Sequence, residues 1–199
     1  MITRHGPIIS DVVYYPVQRI AVNSRALQTC PAFVGWCVLN SAKDWDDFVQ
    51  AMRFIEAPQL GTTYADVEGN IGYWATGRVP VRAKGDGTIP APGWSGEYEW
   101  VGEVPFEEMP HVLNPELGYV VTCNHRIVSD DYPHFLGNVW MNGERAKRIE
   151  EILSGEKKFS IADFQALHVD YTCLPGQELL VHIENLISDE PIVQRALEL

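Results

Sequence analysis

The stretch from Thr62 to Arg82, TTYADVEGNIGYWATGRVPVR, constrains the fold more than any other part of this sequence. Two short β-rich runs, Thr62 to Val67 and Ile71 to Ala75, flank Glu68-Gly69-Asn70. Gly and Asn tolerate positive φ, so a tight reversal is inexpensive there and the segment reads as a hairpin. Tyr64, Ile71, Tyr73 and Trp74 supply the bulk of a core element rather than a surface flap. Pro80 has no N–H to give a ladder, so regular pairing is expected to stop just before it.

The rest of the chain is read around this hairpin. Thr3 to Val13 and Tyr14 to Val22 read as extended segments broken near Pro16, and Leu27 to Leu39 as a buried strand because it is apolar and aromatic. Ser41 is read as a helix N-cap, with Asp44 at the third helical position and Trp45, Phe48, Val49, Met52 and Ile55 at helical spacing until Pro58 ends it. The Gly/Pro-rich loop Lys84 to Gly102 carries Trp94, Tyr98 and Trp100, and is expected to pack down as a pocket wall or as a lid over the core. Asn114 to Gly118 reads as a turn and Tyr119 to Cys123 as a short buried strand. Three helices follow: one near Asn142 to Leu153 with Gly155 by its end, one starting at Ser160 with Asp163 three residues on, and one near Gln177 to Ile187. Strands first and helices after give an α+β or layered class.

Composition narrows the function. A net charge of −12, from 27 acidic and 15 basic residues, argues against nucleic acid or an anionic membrane as a partner. No apolar run approaches the roughly 20 residues of a membrane span, and the start, MITRHGPIIS, has no signal-peptide hydrophobic region. A chain that opens directly in strand-like sequence is expected to be a piece of something longer. Cys30, Cys37, Cys123 and Cys173 show no CxxC spacing, so they read as small buried residues rather than zinc ligands.

Two side chains are candidates for chemistry. Asn124 sits where a strand is expected to end, and its amide can donate to negative charge developing on a carbonyl oxygen. Taken alone, an Asn that satisfies its own turn is the commoner use. On the following helix Ala146, Ile149, Ile152 and Leu153 define the buried side. Arg145 lies roughly 55° from that direction and Arg148 roughly 115°, so Arg145 is expected to reach inward and Arg148 to face solvent. An inward arginine needs a carboxylate, a carbonyl or a ligand, and a structural ion pair is equally common. His5, His111, His125, His134, His168 and His182 are scattered without paired metal-ligand spacing, and no GxSxG, P-loop or GxGxxG occurs. Ser129-Asp130-Asp131 could attract a cation, although such a cluster is more often a solvated turn.

The phrases TRHGPII (Thr3 to Ile9), YADVEGNIGY (Tyr64 to Tyr73), GRVPVR (Gly77 to Arg82), PAPGW (Pro90 to Trp94), NPELGYVVTCN (Asn114 to Asn124) and ERAKRI (Glu144 to Ile149) follow one another along nearly the whole chain. In order and spacing they resemble the penicillin-amidase family of N-terminal-nucleophile hydrolases, which includes cephalosporin and acyl-homoserine-lactone acylases. The resemblance implies a layered αββα fold, antiparallel strands in the first two-thirds and helices toward the C-terminus. It makes residues 1–199 one partial domain, 1–124 mainly strands with one helix at about 41–57, and 141–199 helical. It implies amide hydrolysis by a Ser at the start of the family's large chain, whose own α-amine is the base. By motif, Asn124 corresponds to the family's oxyanion-hole asparagine and Arg145 to its active-site arginine.

The departures from the family are equally specific. The nucleophile and the backbone oxyanion donor belong to segments upstream of TRHGP, Ile2 offers no nucleophile, and Thr3 is internal. The family's calcium takes an Asp shortly after a Tyr-Pro, whereas Tyr132-Pro133 is followed here by His134-Phe135-Leu136, leaving only Asp131 or Asp86 as substitutes. No cofactor is therefore expected in this chain, and calcium only in a parent enzyme. The expected role is that of an interior acylase fragment that holds Asn124 and Arg145, does not turn over substrate alone, and has the remaining acylase segments and a small amide substrate as partners. The alternative is a non-catalytic module that self-associates through exposed edges or docks on the missing part. A periplasmic location is what the resemblance implies for many relatives.

Overall fold

The computed structural model describes residues 1–10, 12, 19–28, 30–155, 158–183 and 186–197. The chain divides into two compact units, one of residues 1–120 with 126–140 and one of residues 121–125 with 141–199. Helix and antiparallel sheet are mixed.

The first unit opens with a two-residue pairing of β1 (Ile2–Thr3) and β2 (Gly6–Pro7), followed by an isolated bridge from Ile8 to Ala21. The long extended segments expected from Thr3 to Val22 are reduced to these contacts; residues 11 and 13–18, with Pro16 among them, lie outside the described residues. Next come two helices, α1 (Ala32–Leu39) and α2 (Trp45–Met52), where one helix at about 41–57 is expected. The buried strand expected from Leu27 to Leu39 is thus a helix, preceded by a 3-10 turn at Arg25–Leu27. A continuous apolar run has no period to separate strand from buried helix. The contact that decides is at Gly35, the buried residue of α1, where an added Cβ would stand 2.8 Å from Ile55 Cγ1 and 3.0 Å from the Ala51 carbonyl. Phe33, Val34 and Trp36 are exposed instead.

The cap of α2 also differs from expectation. Asp44, not Ser41, is the N-cap, with extended backbone and its carboxylate accepting from Asp47 N at 2.9 Å. A carboxylate at this position satisfies a free helix N–H and meets the positive end of the helix dipole. The helix stops at Met52, six residues before Pro58.

The hairpin forms as expected: β3 (Gly61–Ala65) pairs antiparallel with β4 (Ile71–Ala75), Thr63 opposite Tyr73. Asp66 organises its turn. One carboxylate oxygen accepts from the N–H groups of Glu68 and Asn70, each at 2.9 Å, and the other from Asn70 Nδ2 at 2.7 Å and the Tyr64 hydroxyl at 2.8 Å. Donation by the Asn70 amide, then by the backbone and Tyr64, holds the Asp66 carboxyl at about 2. Burial, reinforced by the bond to Asp66, pushes the Tyr64 hydroxyl up to about 12.

Pro80 begins a strand rather than stopping one. After it, β5 (Pro80–Arg82) pairs with β6 (Trp100–Glu103), with an irregularity between Val81 and Arg82. The first residue of a strand is where a missing N–H costs least. The third strand of the hairpin sheet, β7 (His111–Leu113), lies beside β4, giving the order β3-β4-β7. At its end Asn114, in left-handed backbone at φ 49°, accepts from Ile71 N through its side chain at 3.0 Å.

Period-two alternation places the core on both faces of β4. Trp74 joins Phe48, Ala51, Met52 and Ile55 on the α2 side, while Tyr73 and Ala75 join Val79, Val104 and Met109 on the other. In the loop between β5 and β6, Tyr98 and Trp100 are half-buried, but Trp94 is 88% exposed, so the loop is only partly packed down.

The second unit is helical after a short coil. The strand expected from Tyr119 to Cys123 is coil; no partner strand is paired with it among the described residues, and only Cys123 is buried. Four helices follow: α3 (Glu144–Leu153), α4 (Ile161–His168), α5 (Leu174–Ile183) and α6 (Pro191–Leu197). Ser160 and Asp163 close a reciprocal capping box on α4, as their spacing predicts. Helix α5 starts three residues earlier than expected because Pro175 is tolerated in a first turn, and α6 has Pro191 at its first position. No helix among the described residues is long and apolar enough to cross a membrane.

Candidate active site

The site is built where the coil ending at Cys123 bends and faces the first turn of α3. Asn124 occupies left-handed backbone at φ 60°. Asn is one of the few residues with a side chain that adopts this conformation without large penalty. Its carbonyl accepts from Met141 N at 3.0 Å, and the N–H of Cys123 donates to His125 Nδ1 at 3.3 Å. The bend is therefore tied on both sides of Asn124.

Arg145, the second residue of α3, reaches this bend. Its Nη2 donates to the Cys123 carbonyl at 2.5 Å and to Asn124 Oδ1 at 2.9 Å. The two candidates of the sequence are thus in direct contact. A guanidinium has only donors, so the amide end facing it must be the oxygen. The donor end, Nδ2, is then directed away from Arg145, and Asn124 is exposed. An exposed amide with its acceptor occupied and its two N–H groups presented outward can stabilise an anionic oxygen placed against it.

Arg148 departs from expectation. It is less exposed than Arg145, and it donates from Nε and Nη2 to Asp170 at 3.1 and 2.6 Å and from Nη1 to Glu151 at 3.4 Å. Helical angle counts only the helix's own buried stripe, and it omits the connection between α4 and α5 that brings Asp170 to this side. The Asp170 carboxyl lies well below the usual carboxylate range, chiefly through Arg148 and then through the Thr172 N–H and hydroxyl. Arg148 is raised in turn, Asp170 first among the causes. His125 is the neighbour of Asn124 that periodicity does not reveal, because its contact with Cys123 N depends on a bend made by φ at Asn124.

The other candidates do not gather here. Arg126 pairs with Asp130 at 2.5 Å and with the Ser129 carbonyl at 3.2 Å, while Asp131 accepts from Ser129 Oγ at 2.5 Å. Asp86 accepts from Thr88 N at 2.8 Å. Calcium needs six to eight oxygens, several of them carboxylates. Among the described residues no group of three or more His, Cys, Asp or Glu side chains is placed to hold a metal ion, and Asp131 and Asp86 are each engaged in a local turn. Cys30 is half-buried and Cys37 and Cys173 are exposed, so only Cys123 matches the expected buried thiol, and all four are unpaired.

The sequence model of the Penicillin amidase family matches residues 1–198. The chain belongs to the penicillin amidase family. Among curated relatives, penicillin acylase 2 proenzyme of Pseudomonas sp. (strain SE83) is 36% identical over 171 residues, covering 84% of this chain and 22% of its own length. Acyl-homoserine lactone acylase QuiP of Pseudomonas aeruginosa is 31% identical over 194 residues, covering 92% of this chain and 23% of its own. This penicillin amidase chain thus spans about a fifth of the length of the curated relatives it matches. A thermostable penicillin G acylase from Alcaligenes faecalis shares its fold, with a TM-score of 0.71 at 24% identity over 99% of this chain and 36% of that one.

Proposed function

We propose that this chain is a segment of an acylase that hydrolyses amide bonds of the penicillin, cephalosporin or acyl-homoserine-lactone type, in which Asn124 donates to the oxyanion and Arg145 orients it. The observation that carries the reading is the 2.9 Å bond from Arg145 Nη2 to Asn124 Oδ1, which leaves Nδ2 as the outward donor. In this reading the nucleophile is a serine hydroxyl in sequence outside these 199 residues, activated by its own α-amine. The serine oxygen bonds to the amide carbonyl carbon, and the carbonyl oxygen takes up the negative charge. Asn124 Nδ2 then offers a bond that strengthens as the charge develops. The C–N bond breaks, the amine leaves with the proton taken from the hydroxyl, and water hydrolyses the acyl-serine.

The same reading makes residues 1–199 one partial domain of a layered αββα architecture, with further acylase sequence as its partner. Phe33 at 79% and Trp36 at 40% exposure on α1 favour the docking of such sequence on this face over a free surface. Residues 1–199 alone are then inactive. Turnover of a chromogenic phenylacetyl or long-chain acyl amide by the isolated chain, abolished by Asn124→Ala, would contradict that.

The decisive experiment is Asn124→Ala in an acylase carrying this segment. Loss of one oxyanion donor lowers kcat by about 10²–10³-fold, or about 2.7–4 kcal/mol, with little change in KM. An unchanged kcat removes Asn124 from the oxyanion role.

A further inference from the structure

We propose that His125 is a positioning residue for the Asn124 amide, acting as a neutral hydrogen-bond acceptor through Nδ1. The proposal rests on the acylase reading only in giving Asn124 its task.

Asn124 stands at the apex of a bend whose backbone, at φ 60°, lies in the left-handed region, which is open to Asn and leaves its direction to be set by the contacts around it. Three bonds fix three successive peptide groups at this bend. The Cys123 carbonyl accepts from Arg145 Nη2, the Asn124 carbonyl accepts from Met141 N at 3.0 Å, and the Cys123 N–H donates to His125 Nδ1 at 3.3 Å. The third closes a small ring from the residue before Asn124 to the side chain after it. Cys123 is buried, so its N–H needs a protein acceptor, and the half-buried imidazole supplies one.

The donor in that bond is a backbone amide, which can only donate. His125 must therefore present a lone pair at Nδ1 and carry its proton on Nε2. Arg145 holds the far end of the same unit, the Asn124 oxygen, at 2.9 Å. With both ends held, the Asn124 side chain has one direction for Nδ2. Without the imidazole acceptor, the backbone of Asn124 relaxes and the amide swings off Arg145.

The test uses the ¹⁵N-labelled 199-residue chain and reads three NMR signals. In wild type, the His125 ring shows the Nε2–H tautomer, the Cys123 amide is protected from exchange, and the Asn124 Nδ2 proton pair is displaced from free-amide positions. His125→Ala speeds Cys123 exchange at least tenfold and returns the Asn124 pair to free-amide positions, while α3 amides keep their protection. His125→Asn, whose side-chain oxygen can accept where Nδ1 did, restores both signals. His125→Phe, which keeps a ring and removes the acceptor, behaves like His125→Ala and stands in for it if that variant fails to fold. An Asn124 pair unchanged in a folded His125→Ala or His125→Phe protein overturns the proposal, as does a failure of His125→Asn to rescue it. None of these readouts depends on turnover. An unchanged kcat in Asn124→Ala would remove Asn124 from the oxyanion role and leave the clamp, read in the wild-type chain, standing.

Discussion

Trp74 gives the sharpest test of how the hairpin is anchored. Its side chain is 5% exposed, stacks on Phe106 with centroids 4.6 Å apart and on His111 at 4.1 Å, and meets Trp45 at 6.0 Å. Its indole Nε1 is buried with no hydrogen-bond partner among the described residues. Two effects therefore oppose each other. Trp74→Ala removes the whole ring and costs about 3–5 kcal/mol through lost burial and the cavity left behind. In a chain of this length that is about 6–20 °C in Tm for the unit containing it. Trp74→Phe keeps a ring in the stack and opens only about 40 Å³, roughly 1 kcal/mol at 24 cal/mol per Å³, with about as much again in lost transfer energy. It also deletes an orphaned donor whose burial costs about 1–3 kcal/mol. The net for Trp74→Phe is within about 1 kcal/mol of zero. The assay is urea denaturation followed by far-UV circular dichroism, because five other tryptophans complicate fluorescence. Equal m-values make the midpoints comparable. A Trp74→Phe loss as large as that of Trp74→Ala refutes the argument, since it would mean that the indole N–H is satisfied and contributes stability.

Two further perturbations address the same sheet. Asp66 is held at about 2 against its ordinary 3.8, so its stabilisation of the turn is fully present above pH 4 and is lost as pH falls through 2. Exchange protection of the Glu68 and Asn70 amides should fall over that window, and protection that is flat from pH 5 to 2 contradicts the carboxylate's role. Gly72→Ala places a Cβ 2.4 Å from the Trp45 ring and 3.0 Å from the Val112 carbonyl, between β4 and its neighbours. Overpacking of this kind costs about 1–3 kcal/mol, and a neutral or stabilising substitution in thermal unfolding shows that Trp45 has room to move.

The hairpin, the α4 cap and the choice of Asn124 and Arg145 as candidates were open to reading from the sequence, each for a definable reason, while the bond between those two side chains was not. Glu68-Gly69-Asn70 carries its turn chemistry locally, and Ser160 with Asp163 does so within a single helical turn. Asn124 and Arg145 stand out by a strand-end amide and a helical angle, and motif order ties them to a family, although no local rule separates a working amide from one that satisfies its own turn. Other choices were made by contacts far along the chain. The run before Leu39 became helix because Gly35 admits Ala51 and Ile55, which no period within the run encodes. Pro80 opened a strand because residues 100–103 were there to pair with. Arg148 found Asp170 from beyond the next helix, and His125 became an acceptor only once Asn124 took φ 60°. Residue type and short spacing set which local conformations were inexpensive. Burial and the need to satisfy each polar group against a distant partner selected among them, and that selection exists only in the folded chain.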